Sequence, residues 1–150
     1  MIAWAPTSSG LWAPQNVNSA RIRGAELSSG VEVNDWTLQA AFTYLDPEDR
    51  ATGNRLARRA TQSVRLDADR ELGDWSLGGS LVAQSYRYDN TTNTQRLGGY
   101  GLVNLRAGWR FAPLWSARVT LENAFDKEYS TTRDYINAGR AGFLSVHFGQ

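Results

Sequence analysis

Hydrophobic and polar residues alternate strictly along much of the chain, most clearly over residues 99–125. Apolar residues and glycine occupy every second position from 99 to 111, while Asn104 and Arg106 lie on the positions between them. A period of two predicts β-strands that have one apolar face and one polar face. The interruption at residues 112–114 predicts a turn, so this stretch is expected to form an antiparallel hairpin.

The same alternation recurs and divides the whole chain into strands. Residues 2–5 form one candidate strand, and seven clearer strands are predicted at residues 20–33, 36–44, 64–72, 75–86, 99–111, 115–125 and 142–148. The phase of the pattern changes near Gly24, which predicts a β-bulge at that point. Stretches rich in polar or turn-forming residues are predicted to be loops, namely residues 6–16, 46–59, 89–97 and 126–140.

Loop lengths and aromatic residues are both sorted by strand end. The connections alternate between two to four residues and roughly nine to fifteen, which is typical of outer-membrane β-barrels. Tryptophan and phenylalanine lie beside the short turns, at Trp36, Trp75, Trp109, Phe111 and Trp115. Tyrosine lies toward the long loops, at Tyr44, Tyr86, Tyr88 and Tyr100. The sequence therefore predicts an apolar band in lipid with an aromatic belt at each interface.

Composition removes several function classes. A net charge of +1 provides no strong attraction to nucleic acid, and the absence of cysteine excludes thiol catalysis and disulfides. A single histidine, His147, makes a histidine-rich metal cluster or a Ser-His-Asp triad a poor interpretation. The mean hydropathy of −0.46 resembles that of a water-soluble protein. It does not argue against a membrane barrel, because only alternate residues of such strands meet lipid.

Four short segments resemble characteristic elements of one family, the TonB-dependent outer-membrane receptors. Residues 123–129 read NAFDKEY and are similar to the N-L-F-D-K-x-Y segment of these receptors, and residues 138–140 read AGR. Residues 20–26 read ARIRGAE and residues 56–60 read LARRA, which resemble two further strand elements. With RYD at residues 87–89 and GGY beginning at Gly98, the resemblance points to the cobalamin (vitamin B12) transporters within the family.

This resemblance implies an all-β fold, an antiparallel transmembrane β-barrel portion with about seven to eight strands of a 22-stranded barrel. Residues 1–150 would be the C-terminal part of such a receptor, with the plug domain absent. It implies transport rather than enzymatic activity, with cobalamin as the substrate and contact with TonB through the missing plug segment. We expect outer-membrane lipid as a partner, and no cofactor and no nucleic acid.

Arg58 and Arg59 are the candidate substrate-binding residues. The resemblance implies that an arginine matching Arg58 faces the substrate cavity, whereas the alternative is a solvated loop charge. Asp67 and Asp69 share one strand face and are candidate metal ligands. Because Arg65 lies two residues from Asp67, we expect a ladder of paired charges there instead, and no metal site.

Three alternatives stay open. The first keeps the same architecture with an iron siderophore as substrate. The second is a self-contained eight-stranded barrel with a structural or adhesion role, since eight strands are enough to close around a filled interior. The third is a soluble β-sandwich, in which the same alternation would place the polar face in water and the apolar face against a second sheet.

Overall fold

The computed structural model describes residues 2–16 and 19–149, and this part of the chain is built from strands, turns and loops. The strands are β1 (Ile2–Pro6), β2 (Trp12–Asn16), β3 (Ala20–Val33), β4 (Trp36–Asp49), β5 (Gln62–Leu72), β6 (Trp75–Gln84), β7 (Arg87–Tyr88), β8 (Arg96–Leu97), β9 (Tyr100–Ala112), β10 (Trp115–Glu122) and β11 (Ala141–Phe148). Among these residues there is no helix long and apolar enough to cross a bilayer.

Seven strands form one antiparallel sheet in the order β11-β10-β9-β6-β5-β4-β3. They are the seven clearer strands predicted from the alternation, so that prediction is confirmed. Two small hairpins stand apart from this sheet, β1 with β2 and β7 with β8. Consecutive strands of the large sheet are neighbours throughout, which is the arrangement of an up-and-down barrel wall.

Three predicted loops are partly wrong, and one of them, residues 89–97, contains the short strand β8. Residues 6–16 were expected to form a loop, but β2 pairs with β1 from Pro6↔Trp12 to Ile2↔Asn16. The loop predicted at residues 46–59 begins later, because β4 continues as far as Asp49. Polar residues extend this ladder because the register sets opposite charges across from one another, as in the ion pair between Arg21 and Glu48.

The bulge predicted near Gly24 is also wrong. β3 pairs with β4 without interruption from Ala20↔Asp49 to Val33↔Trp36. The phase change marks the place where the apolar pattern ends and the strand continues with charged residues. Glycine is needed there because a Cβ at Gly24 would overlap the carbonyl oxygen of Tyr44 and lie 2.8 Å from Leu45 Cδ2.

The only irregular register recorded among the described residues of the large sheet lies between β9 and β10. Trp115 pairs with Ala112, but Ser116 pairs with Arg110, so Phe111 is the extra residue of a bulge. The turn is therefore tighter than the predicted 112–114 and consists of Pro113 and Leu114. A bulge of this kind increases the local twist of the sheet.

The large sheet has two chemically different faces, and each is defined by alternate residues of its strands. The apolar face carries Leu27, Val31, Leu38, Phe42, Leu66, Leu77, Leu105, Trp109, Val119, Leu144 and Val146. The polar face carries Glu26, Gln39, Thr43, Arg65, Asp67, Asp69, Ser80, Asn104, Arg106, Arg118 and Glu122.

No second layer covers the apolar face in the described part of the chain. Leu105 is 47% exposed and Trp109 is 45% exposed, whereas a sandwich would bury both. The buried apolar side chains are Leu56, which lies in a loop, and Pro47, which lies near the loop end of β4. A monomer in water does not tolerate so large an apolar surface, so the soluble β-sandwich is ruled out.

Aromatic residues line the short-turn end of the apolar face, as predicted. Trp75 stacks on Trp109 with ring centroids 5.1 Å apart and planes 6° apart. Phe111 and Trp115 continue the row, with each centroid 5.5–6.3 Å from the preceding one. Phe148 completes it at 4.9 Å from Trp115. These spacings are the favourable ones for aromatic pairs.

The predicted tyrosine belt at the opposite end is largely wrong. Tyr44 lies on the apolar face, but Tyr100 is paired with Gln84 and lies on the polar face. Tyr86 lies beyond the end of β6, and its ring contacts loop arginines. Sequence position toward a long loop therefore did not decide which side of the wall each ring occupies.

Within the described residues the large sheet is open. Its edge strands, β3 and β11, pair with β4 and β10 on one side and do not pair with one another. The structure is therefore not the self-contained eight-stranded barrel that was the second alternative. It is an open section of wall, with short turns along one rim and long loops along the other.

Candidate functional site

Two long connections at the same rim are joined into one unit. They are residues 50–61, which link β4 to β5, and residues 85–99, which link β6 to β9. Asn93 is the main link, because its Oδ1 accepts the Arg55 backbone N–H at 2.7 Å and its Nδ2 donates to the Arg55 carbonyl at 2.9 Å. Asn54 Nδ2 adds a bond to the carbonyl of Thr91 at 3.0 Å.

Arg58, the first candidate substrate-binding residue, lies where these two connections meet. Its backbone N–H donates to the carbonyl of Tyr88 at 2.6 Å, and its φ of +60° is in the left-handed region. Its Nε donates to Asp89 Oδ1 at 2.9 Å, and the side chain is 56% exposed. One carboxylate therefore orients the guanidinium, while most of the side-chain surface remains exposed to solvent.

Arg59, the second candidate, is also exposed. It follows Arg58 directly, three residues before β5 begins at Gln62. The structure thus places both arginines at the long-loop rim, and it brings Arg58, but not Arg59, into contact with the second loop.

Sequence reasoning missed a second group of arginines in these loops. The guanidinium carbons of Arg55 and Arg96 lie 5.2 Å and 3.9 Å from the centroid of the Tyr86 ring, which is within cation–π distance. Arg55 also donates to the Tyr86 hydroxyl at 2.8 Å. Neither arginine forms a salt bridge within residues 2–16 and 19–149, so this loop cluster presents unneutralised positive charge.

Arg87 carries a third positive charge nearby and is 8% exposed. It donates to Gln84, and its guanidinium carbon lies 5.5 Å from the ring centroid of Tyr100. The Tyr100 hydroxyl donates to the same Gln84 oxygen at 3.1 Å. The alternation of arginine and tyrosine in residues 86–88 was visible in the sequence, but which ring each arginine meets depends on chain segments distant in sequence.

The third long connection, residues 123–140, is organised by the segment that carries the family resemblance. Asn123 is 4% exposed, its Nδ2 donates to the Lys127 carbonyl at 3.0 Å, and its Oδ1 accepts the Lys127 N–H at 2.8 Å. Asp126 Oδ1 accepts the backbone N–H of Arg140 at 2.7 Å. A Cβ at Gly139 would lie 2.7 Å from that same Asp126 oxygen. The motif therefore closes the loop onto the start of β11.

Tyr129 in this loop packs on Tyr100, with ring centroids 4.4 Å apart. Burial raises the pKa of the Tyr129 phenol above its ordinary value, and Tyr100 and Glu122 act in the same direction. The neutral phenol is therefore the form that the folded loop favours.

The charge ladder expected around Asp67 is confirmed. Arg65 Nε lies 2.7 Å from Asp67 Oδ2, and Arg106 Nε donates to Asp69 Oδ1 at 2.7 Å. A further approach of 3.7 Å joins Arg106 to Asp67, so the four side chains form one network. Each carboxylate thus has an arginine partner, and in the described residues no group of three or more histidine, cysteine or acidic side chains is placed to hold a metal ion.

Comparison with known proteins identifies the family. Residues 1–124 match the family described as TonB dependent receptor-like, beta-barrel. The chain belongs to this family. The vitamin B12 transporter BtuB of Photobacterium profundum is 32% identical over 152 residues, an alignment that covers 99% of this chain and 25% of that protein. The chain therefore spans about a quarter of the length of this curated relative.

Two solved structures share the fold. The copper transporter OprC superposes with a TM-score of 0.82 at 21% identity, over 100% of this chain and 26% of OprC. The ferric preacinetobactin receptor BauA of Acinetobacter baumannii superposes with a TM-score of 0.77 at 24% identity, over 98% of this chain and 25% of BauA. At such identities the likeness concerns the fold alone.

Membership of the TonB-dependent receptor family settles several expectations. The protein is an outer-membrane β-barrel protein of a receptor and transporter family, not an enzyme. The seven-stranded sheet is part of the barrel wall, so its apolar face meets lipid and its polar face lines the interior. The short turns then lie at the periplasmic rim and the long loops at the extracellular rim.

Proposed function

We propose that this chain supplies barrel wall and three extracellular loops to a receptor that takes up cobalamin in a TonB-dependent manner. The observation that carries the proposal is the 32% identity to a vitamin B12 transporter along 99% of the chain. In this proposal residues 1–150 belong to the C-terminal part of the receptor, and the segment that contacts TonB lies in a plug outside them.

The extracellular arginines favour a substrate that carries an anionic group. Cobalamin carries a phosphodiester and many amide oxygens, and guanidinium groups donate strong charge-assisted hydrogen bonds to such acceptors. In the proposal Arg58 and Arg59 make these contacts. Arg58 is suited to this role because Asp89 orients it while 56% of its side chain remains exposed.

The test uses the complete gene product in outer membranes of a bacterium that lacks its own cobalamin receptor. Labelled cobalamin should bind saturably, and Arg58→Ala and Arg59→Ala should each raise Kd about tenfold, the effect of losing one charged hydrogen bond. Arg133→Ala is the matched control, because Arg133 is an exposed loop arginine paired only with its neighbour Asp134 among the described residues. Its Kd should not change.

Asp89→Asn separates substrate contact from loop support. If Arg58 only holds the loops together, Asp89→Asn should weaken cobalamin binding as much as Arg58→Ala does. If Arg58 contacts the substrate, Asp89→Asn should weaken cobalamin binding less than Arg58→Ala does, because the asparagine oxygen can still orient the arginine that makes the contact. Saturable binding of a ferric siderophore without binding of cobalamin would overturn the proposed substrate and favour the siderophore alternative.

A further inference from the structure

Near the periplasmic rim, one arginine lies on the apolar face of the sheet, in phase with apolar residues. Arg21 and Arg23 share the apolar phase at the opposite end of the wall, where the register sets them across from Glu48 and Asp46. Arg70 occupies β5 between Ala68 and Leu72 and is paired across the sheet with Trp36 and Leu77. It is two residues from the end of β5, next to the periplasmic turn. A charge on the lipid face costs about 2–4 kcal/mol at mid-membrane and much less near the interface, so this depth is tolerable.

The Arg70 guanidinium packs on an aromatic ring but has no acidic partner among the described residues. Its guanidinium carbon lies 5.6 Å from the centroid of the Trp36 ring, within cation–π distance. Its Nε is covered and has no hydrogen-bond partner. Within residues 2–16 and 19–149 no carboxylate forms a salt bridge with it, and Asp74 in the adjoining turn lies 3.4 Å from Arg110 instead. An acceptor from outside the chain can reach only the terminal guanidinium nitrogens, because the protein covers Nε. These nitrogens carry positive charge without a carboxylate partner among the described residues, so we expect an anionic acceptor to pair with them.

An apolar groove of about 500 Å³ lies on the same face, and its lining extends as far toward Arg70 as Ala68 and Leu38. Small residues form its floor, with Ala40, Ala68 and Gly79 on three neighbouring strands. Larger side chains, among them Leu38 and Leu81, line it as well. Arg70 itself does not line the groove, but Ala68 is the next residue of the apolar face after Arg70, so the groove begins about 7 Å along β5 from the charged position.

We propose that this groove and Arg70 bind one phospholipid of the periplasmic leaflet. The phosphate accepts hydrogen bonds from Arg70 at the interface, beside the Trp36 ring, and an acyl chain lies over Ala68 and Gly79. The occupant is a lipid and not a free anion, because the charge lies one position of the apolar face away from an apolar groove, on the face that meets hydrocarbon. Charge complementarity and apolar continuity thus point to the same molecule.

The experiment is native mass spectrometry of the complete gene product in a mild detergent, with phosphatidylglycerol added in known amounts. The wild-type protein should retain one lipid at saturation of this site. Arg70→Leu should weaken that binding about tenfold, as for the loss of one charge-assisted hydrogen bond, and Arg70→Lys should weaken it less. Arg118→Leu, which removes an arginine from the polar face of the same wall, should leave lipid binding unchanged.

A second variant tests the groove separately. Ala68→Phe fills the groove without removing the charge and should also reduce lipid retention. Heat-modifiable gel mobility of each variant verifies that the barrel has folded. Unchanged lipid binding in a folded Arg70→Leu protein would overturn the proposal. Displacement of the lipid by millimolar inorganic phosphate would overturn it as well, because the site would then recognise a free anion.

Discussion

The two faces of the barrel wall are made by the same strands and follow opposite rules. The polar face carries charges at neighbouring positions and neutralises them in a network, in which Arg106 contacts both Asp67 and Asp69. The apolar face carries Leu66, which precedes Asp67, and Leu105, which precedes Arg106. Both are more than 40% exposed, and no layer of the described residues covers them. The side chains of the polar face are thus stabilised by partners within the chain, whereas those of the apolar face are stabilised by the surrounding hydrocarbon.

This difference explains why the sheet is ordered without a protein core. In water the exposed leucine and valine side chains would be an aggregation hazard, whereas in hydrocarbon they lose nothing by being exposed. The backbone bonds are satisfied between strands, as a bilayer requires. Substitutions should therefore have effects that depend on the face they occupy more than on the residue type introduced.

The largest expected effect comes from placing the same new charge on each face. Leu66→Arg puts a guanidinium on the apolar face near the middle of β5 and should lower the free energy of unfolding by about 2–4 kcal/mol. Gln39→Arg puts it on the polar face, where the register sets it across from Asp67, and should change stability by less than about 1 kcal/mol. Urea titration in lipid vesicles measures both.

Equal losses in the two variants would contradict the assignment of the faces. A larger loss of unfolding free energy for Gln39→Arg than for Leu66→Arg would mean that the two faces have been assigned the wrong way round. Both substitutions should be made in the complete gene product.

A smaller effect is expected from two adjacent glycines that face opposite sides. A Cβ at Gly78 would overlap Asp69 and lie 2.6 Å from Arg106 Nε, so Gly78→Ala should displace this ion pair and cost about 1–3 kcal/mol. A Cβ at Gly79 would meet Leu105 Cδ2 at 3.5 Å, an ordinary contact. Gly79→Ala should therefore be neutral, or stabilise by up to about 1 kcal/mol. The same urea titration compares them, and equal losses would show that the ion pair contributes nothing.

The smallest effect is a pH dependence in the third extracellular loop, beyond the polar face. Because the pKa of Tyr129 is raised, its contribution to loop stability is complete below the ordinary phenol pKa of about 10 and is lost as pH rises through the higher folded value. Alkaline titration monitored by tyrosinate absorbance should show a late step that Tyr129→Phe removes. If Tyr129→Phe instead removes a step at the ordinary phenol pKa of about 10, the folded loop does not hold the phenol neutral.

The strand pattern was predictable because alternation reports which residues share a face, whatever covers that face. All seven strands of the large sheet were therefore found, and the ladder around Asp67 followed from the spacing of Arg65 and Asp67. The bulge at Gly24 was predicted wrongly because a change in pattern was taken as a change in backbone geometry. In the structure the backbone continues, and only the surroundings of the side chains change.

The loop contacts were not predictable from the sequence alone. Arg55 meets Tyr86, and Arg58 meets Asp89, across 31 residues of chain in each case. Nothing in the sequence next to either arginine indicates its partner, and arginines in loops are usually exposed to solvent. Arg70 was missed for another reason, because its position in phase with Ala68 and Leu72 was visible but was not weighed against the apolar pattern.

The link between the first two extracellular loops has a consequence for molecules that approach the cell from outside. Arg55 and Asn93 are 38 positions apart in sequence and hold one another by two hydrogen bonds. An antibody or bacteriophage protein that docks on this surface would meet a discontinuous epitope. It should bind intact cells and lose binding on a denaturing blot, and a peptide copied from either loop alone should not compete with it.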